Sequence, residues 1–328
     1  MISVIIPLYN KAAGIQRALD SVLAQKFQHF EIIVIDDGST DESVTIVQKY
    51  IDLRIKIIRQ VNSGVSSARD YGIQSAGGNL VAFLDADDEW KPNILETLVA
   101  LSRRFPHAGA YATAYEIQDA NGKVFSPPFY VMPQQADGGF VGDFFKAALF
   151  CHPLWTSAVM VPKTIMTEVG GFPVDVRIGE DIDTWFRIAA RYPIAWSPMP
   201  SSIYHQSRGS ACKDKLYVGD VAVARSYEIC NISNRISAQQ KTTMQRLIAL
   251  YRLYDYIVFN WLTSETRLAR QLLRKCGYSP SFWRRWILMF VTMHLPRSYA
   301  LLMLKLKGLI NCGHFDLSPS ARIYRQWN

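Results

Sequence analysis

The run Ile32-Ile33-Val34-Ile35 ends in Asp36-Asp37-Gly38, and this junction constrains the chain more than any other feature. Four apolar residues without a polar interruption suit a strand buried on both faces of a mainly parallel sheet, not one with a solvated face. Carboxylates placed where such a strand ends face the crevice in which open α/β sheets bind ligands. Ser39-Thr40-Asp41 then offers helix-capping side chains ahead of Val44, Ile46 and Val47. Alone, the segment reads equally well as an ordinary strand-to-helix turn.

The flanking sequence repeats the pattern. Ser3 to Leu8 is a short apolar run, after which Ile15, Ala18, Leu19, Val22 and Leu23 recur at helical spacing and form one apolar stripe. A helix over 41–52, a strand at 55–58, a helix at 66–75 and a strand at 80–85 continue the alternation, the βαβ signature of a parallel sheet. Past Pro92 the sequence predicts a helix to about Arg104, a strand at 109–117 and a Pro/Gly-rich loop at 126–142. A strand at 157–161, a helix at 181–191 and a strand at 194–204 follow, and from about Asp214 only helical patterns remain. The expected fold is therefore an α/β domain over 1–212, followed by a helical region over 213–328.

A second apolar run, Leu80 to Leu84, ends in Asp85-Ala86-Asp87-Asp88. Two acids in a DxD arrangement can share a ribose, a divalent cation and its diphosphate, and hard cations such as Mg²⁺ or Mn²⁺ prefer such oxygen ligands. A DxD by itself is weak, since acidic turns are common, but a second acid-tipped strand strengthens it. Gly179-Glu180-Asp181-Ile182-Asp183-Thr184-Trp185 adds three acids at a helix start. First-turn acids also serve the helix dipole, although three exceed what capping requires. His205 lies just past another expected strand; an isolated histidine is commonly structural, and its position keeps the ligand role open.

Taken in order, SVIIPLYN (3–10), IDDGSTD (35–41), NSGVSSARDYGI (62–73), LDADD (84–88), GGF (170–172), GEDIDTW (179–185) and YHQSRGS (204–210) resemble the family 2 glycosyltransferases. That resemblance implies a GT-A (Rossmann-like) fold, a nucleotide-sugar donor (UDP-sugar favoured), an Mn²⁺ or Mg²⁺ cofactor and transfer with inversion. Carried across, it implies Pro7 and Tyr9 at the base pocket, Asp37 on the base, Arg69 near base and diphosphate, and Asp85 facing the ribose. It implies Asp87 as the metal acid, with His205 as a further metal or diphosphate contact, and Asp181 as catalytic base, with Glu180 beside it. Asp70 stands where an asparagine is commoner. Trp155 and Trp185 are candidates for stacking on sugar rings, with a core role the alternative.

Composition bears on partners. The net charge of +8 is misleading as an average, because from Arg267 onward eleven Lys/Arg face one acid, Asp316. Residues 282–290 mix aromatics with cations as interfacial helices do, so an anionic membrane surface is an expected partner of the tail, with packing or a homo-oligomer as the alternative. No apolar stretch reaches the ~20 residues of a spanning helix. The odd, widely spaced cysteines (Cys151, Cys212, Cys230, Cys276, Cys312) contain no CxxC pair, which suits a reducing cytoplasm. Met1 to Ile6, cut off by Pro7, reads as a first strand, not a signal peptide. The expected protein is thus a cytoplasmic, peripheral enzyme of cell-envelope polysaccharide synthesis with a glycan or lipid-linked acceptor and no nucleic-acid partner. Competing readings are a haloacid-dehalogenase-type phosphatase, whose DxD normally follows the first strand, and a non-catalytic scaffold.

Overall fold

The computed structural model describes residues 1–148, 152–174, 179–206, 236–241 and 243. Its first strand, β1 (Ile2–Leu8), is buried at every position, as is β2 (Phe30–Asp36). The two pair in parallel, with Leu8 opposite Asp36. Helix α1 (Ala12–Leu23) joins them and buries the stripe Ile15, Ala18, Leu19 and Val22. Helix α2 (Ser43–Gln48) leads to β3 (Ile55–Arg59), parallel to β2, and α3 (Val65–Ser75) leads back to β4 (Leu80–Phe83) on the other side of β1. The chain therefore reverses direction across the sheet between β1 and β4, and at such a switch point a crevice opens beyond the strands' carboxyl ends.

Past β4 come β5 (Glu89–Trp90), α4 (Ile94–Arg104), β6 (Ala110–Gln118), β7 (Val124–Phe125), β8 (Gly139–Phe140) and α5 (Phe144–Ala148). A single 3-10 turn at Thr156–Ala158 then enters β9 (Val159–Pro162), followed by α6 (Lys163–Val169), α7 (Glu180–Ala189) and β10 (Ile194–His205). The described residues make one sheet in the order β3-β2-β1-β4-β9-β6-β10-β5, with β7 on β6 and β8 on β10. β9 runs antiparallel to both neighbours, whereas β10 is parallel to β6. The ladder of β10 shifts register between Ser197 and Ser202. Pro198 and Pro200 lie in that stretch, and neither has an N–H to donate.

Alternation along the strands separates two cores. Val4, Ile6, Ile32 and Val34 meet α1 and α4 on one face. Ile5, Ile33, Ile35 and Phe83 meet α3 and α7 on the other. Three expectations need correction. The strand expected to reach Asp85 ends at Phe83, so the acids stand in the loop; the helix over 41–52 is confined to Ser43–Gln48; and α5, α6 and three two-residue strands were not foreseen. A two-residue strand has no room for a periodic signal. The expected helices beyond residue 213 and the basic tail lie outside the described residues.

Close packing of α3 on the sheet depends on Gly72, where a Cβ would sit 2.4 Å from Ile5 Cγ2. Gly72→Ala is expected to lower stability by about 1–3 kcal/mol through overpacking. Urea unfolding checks this, and an unchanged midpoint would show that α3 yields at no cost.

Candidate functional site

The crevice at the switch point is built by the loops after β1, β2 and β4 and by the first turn of α7. After β2, Asp37 is 4 % exposed and accepts from the Gln60 side chain (2.7 Å), Ser63 N (2.7 Å) and Gly64 N (2.9 Å). A carboxylate offers about four acceptor positions, so three are committed to holding the 60–64 loop. Asp36 turns to its own loop and accepts from Ser39 N at 3.0 Å. Pro7 is buried in β1, and Tyr9 beyond it is 47 % exposed at the crevice rim. Asn10, at a φ of 51°, accepts from Thr40 N at 2.8 Å and ties the β1 loop to the β2 loop.

The loop after β4 concentrates charge. Asp85 accepts from Arg69 at 2.8 Å, and the same guanidinium reaches Glu180 at 2.9 Å. Arg69, 4 % exposed at its side chain, also lies 5.1 Å from the centre of the Phe172 ring. Burial works against its charge, but Asp85 and then Glu180 more than offset it and hold the group above its ordinary value. Arg69, expected near base and diphosphate, sits behind Asp85 and links it to α7. Asp87 carries a partner that the sequence reading missed, Lys11, whose ammonium contacts Asp87 Oδ2. Arg17 donates to the Asp87 carbonyl at 2.5 Å.

Asp88 is the hub beneath them. At 1 % exposure it accepts from Ser157 Oγ (2.5 Å), Trp155 Nε1 (2.9 Å) and His205 N (3.3 Å), so the ends of β4 and β10 and the turn before β9 meet on one carboxyl. Burial first, then the charges of Asp85 and Asp87, push its pKa well above the carboxylate range. Sequence spacing marked Asp88 as part of the motif but gave no sign of this role. His205 contacts Glu89 at 3.0 Å. Burial and then Arg17 lower its pKa against the pull of Glu89. A carboxylate bonded in this way fixes the ring and its tautomer.

The three acids of α7 separate by their partners. Asp183 is buried and paired with Arg187 at 2.6 Å, a structural ion pair. Glu180 is paired with Arg69, and burial, then Asp181, raises its pKa. Asp181 accepts from the Thr156 hydroxyl at 3.1 Å and its neighbour's amide, Ile182 N, at 2.7 Å, both neutral donors. His152, unremarked in the sequence, is lowered by burial with Asp181 opposing, so the two are electrostatic neighbours. The two tryptophans divide. Trp155 is half-buried and stacks on Tyr115 at 5.4 Å and 30°. Trp185 is 2 % exposed, with its ring edge-on to Phe172, which is the core alternative.

Asp87 is 29 % exposed, and beneath it Asp88 is pushed up by burial first and then by the charges of Asp85 and Asp87. No group of three His, Cys, Asp or Glu gathers among the described residues, so an ion on Asp87 would take oxygens from elsewhere to complete its coordination.

Comparison with known proteins follows the same outline. Residues 3–157 match the family model described as glycosyl transferase family 2. An uncharacterized glycosyltransferase of Rickettsia felis is 34% identical over 200 residues, which are 59% of this chain and 31% of that protein. One from Nostoc is 36% identical over 177 residues, covering 53% of this chain and 54% of its own. The chain thus spans about a third and about half of these relatives' lengths. Among solved structures, Staphylococcus aureus TarS 1–349 in complex with UDP superposes with a TM-score of 0.58 at 20% identity, covering 99% of this chain and 89% of that one. The same protein with UDP-GlcNAc gives 0.58 at 19% identity, covering 89% of this chain and 90% of that one. These likenesses support the GT-A fold.

Asp70 yields a pH prediction. It accepts from Phe172 N at 2.9 Å, and burial pushes its pKa up to about 6, with the Phe172 bond, Arg187 and Arg69 pulling the other way. The folded state then binds more protons than the unfolded chain between about pH 4 and 6, so stability falls as pH rises through that window. Asp70→Asn keeps an acceptor for Phe172 and removes the charge. It is expected to stabilise the protein by about 1–2 kcal/mol at pH 7.5, allowing for partial exposure, and by much less at pH 4. Melting at both pH values checks this, and a gain independent of pH would discount the buried charge as its cause.

Proposed function

We propose, on the match of residues 3–157 to the glycosyl transferase family 2 model, that this chain is a member of that family and moves a sugar from a UDP-sugar to a hydroxyl of a cell-surface glycan or lipid-linked acceptor. We infer further that transfer inverts the anomeric centre and uses Mn²⁺ or Mg²⁺. The observation that carries the reading is that Asp37, Asp85 and Asp87 follow the carboxyl ends of β2 and β4, which flank β1, and that Arg69 ties Asp85 to Glu180, next to Asp181, itself held by neutral donors. The UDP and UDP-GlcNAc complexes of TarS support a uridine donor.

In this reading Asp37 keeps one acceptor position for the base, and Tyr9 and Pro7 flank it. Asp85, fixed by Arg69, receives the ribose hydroxyls. Asp87, with His205 beside it, would hold the cation, which when bound supplies positive charge against the departing diphosphate. Asp181 accepts the proton of the acceptor hydroxyl as that oxygen attacks the anomeric carbon from the face opposite the leaving group. Thr156 and the Ile182 amide orient its carboxylate. Charge on neighbouring Glu180 stays committed to Arg69, which limits repulsion inside the turn. Trp155 gives the acceptor side an aromatic edge.

We also propose that the tail from Arg267 holds the enzyme at an anionic membrane surface on its cytoplasmic side, since each basic residue there adds ~1 kcal/mol. No helix among the described residues is long and apolar enough to cross a membrane. Loss of vesicle binding on removing residues 279–328 is the expected result; retention in full would assign the contact elsewhere.

Donor and base are tested together. UDP-sugars with Mn²⁺ are expected to raise the melting temperature, whereas GDP- and dTDP-sugars leave it unchanged. Asp181→Asn should keep that shift and lose roughly 10²- to 10⁴-fold in transfer rate. Undiminished transfer by this variant would reject Asp181 as the base.

A further inference from the structure

The contact between Lys11 and Asp87 belongs to no role assigned so far. Lys11 is the first residue after the β1 loop and the cap of α1, and its backbone is fixed on both sides. Its N–H donates to Ser43 Oγ at 2.8 Å, and its carbonyl accepts from Gly14 N at 2.9 Å and Ile15 N at 3.0 Å. Helix α1 is pressed against the acidic loop. A Cβ on Gly14 would lie 2.8 Å from both the Ala86 carbonyl oxygen and Asp87 Cα, closer than real Cβ atoms approach. Arg17, six residues on, holds the Asp87 carbonyl at 2.5 Å. Two cations of one helix therefore serve one aspartate, with Arg17 on the backbone and Lys11 on the carboxylate.

The two differ in what they can give up. A bond to a carbonyl only positions the loop. The Lys11 ammonium occupies an oxygen of the acid read above as the cation ligand. The side chains of Lys11 and Asp87 are 36 % and 29 % exposed, so the pair is screened and exchangeable. A compact ammonium on a flexible stem can leave without disturbing the anchored backbone.

We propose that Lys11 is an exchangeable counter-cation for Asp87, which competes with the divalent ion and sets the concentration at which that ion binds. The inference rests on the reading of Asp87 as the metal acid. With Lys11 in place, Asp87 is neutralised and the turn of Asp85, Asp87 and Asp88 tolerates its own charge. A divalent ion must displace the ammonium and then sit near a positive group, and both effects weaken its binding.

The test uses Mn²⁺ alone, without donor, titrated into the full chain and followed by the electron-paramagnetic-resonance signal of the free ion. Lys11→Met is expected to bind Mn²⁺ about three- to tenfold more tightly than wild type, and Lys11→Arg within about twofold of it. Lys11→Gln serves as a second neutral variant should the methionine one melt without cooperativity. A merely structural lysine would leave Mn²⁺ affinity unchanged or weaken it, and either result in a folded neutral variant overturns the proposal. Asp87→Ala separates the two layers. If wild type binds and Asp87→Ala does not, the metal reading stands whatever Lys11 does. If neither wild type nor the neutral Lys11 variants bind, or if Asp87→Ala binds like wild type, the metal reading and the Lys11 inference fall together.

Discussion

The site depends on one buried cation. Arg69 stands on α3 with its side chain almost fully enclosed, and it bridges Asp85 in the loop after β4 to Glu180 in the first turn of α7. A buried guanidinium left unpaired is strongly unfavourable, so neither acid can leave it cheaply, and removing one leaves a charge uncompensated. That requirement ties together two loops that are 111 and 16 residues from Arg69 along the chain. It thereby sets where Asp181, next to Glu180, stands with respect to Asp85. The placement of Asp181 relative to Asp85 is maintained from below, by a residue that itself has almost no contact with solvent.

A second layer of order sits on Asp88 and Asp70. Three donors from two distant parts of the chain converge on Asp88, and its own raised pKa follows from burial beside two more acids. Asp70 holds Phe172 N, and Gly171 beside it leaves no room for a side chain, since a Cβ there would approach the Asp70 carboxylate to 2.5 Å. Arg187 then takes the Gly171 carbonyl at 2.7 Å and pairs with Asp183. The GGF segment is therefore a brace between α3 and α7, and it works through backbone groups whose partners are side chains distant in sequence.

This explains what was legible in the sequence. The alternation of apolar runs and helical stripes gave the parallel half of the sheet, because burial on both faces leaves an unbroken apolar signature in Ile32 to Ile35. The acids ending β2, β4 and the loop before α7 were legible for the same reason, since strand ends and helix starts are marked locally. Lys11, Arg17, Asp88 and His152 were not legible, because their roles arise from contacts across the switch point that no local spacing records. Trp185 stayed open between stacking and core because a tryptophan beside a group of acids looks the same in sequence whichever way its ring faces. The short strands β5, β7 and β8 exist only through pairing with β6 and β10. Their two residues carry no pattern of their own.

The remaining question is why so much acid is gathered at one end of a sheet, when like charges in a partly buried crevice repel. The pKa directions supply the answer. Asp88 and Glu180 are both pushed toward their neutral forms, each by burial and then by acids beside it. Burial thus disfavours charge on both, while Arg69 pairs with Asp85 and Glu180 and Lys11 with Asp87. The Lys11–Asp87 pair is partly exposed and open to exchange, whereas Arg69 is enclosed with its two acids. The fixed charges, Arg69 and Arg17, are those that hold the loops in place. The exchangeable one, Lys11, lies toward solvent, and this division between enclosed and exposed cations lets one turn carry several acids within a folded loop.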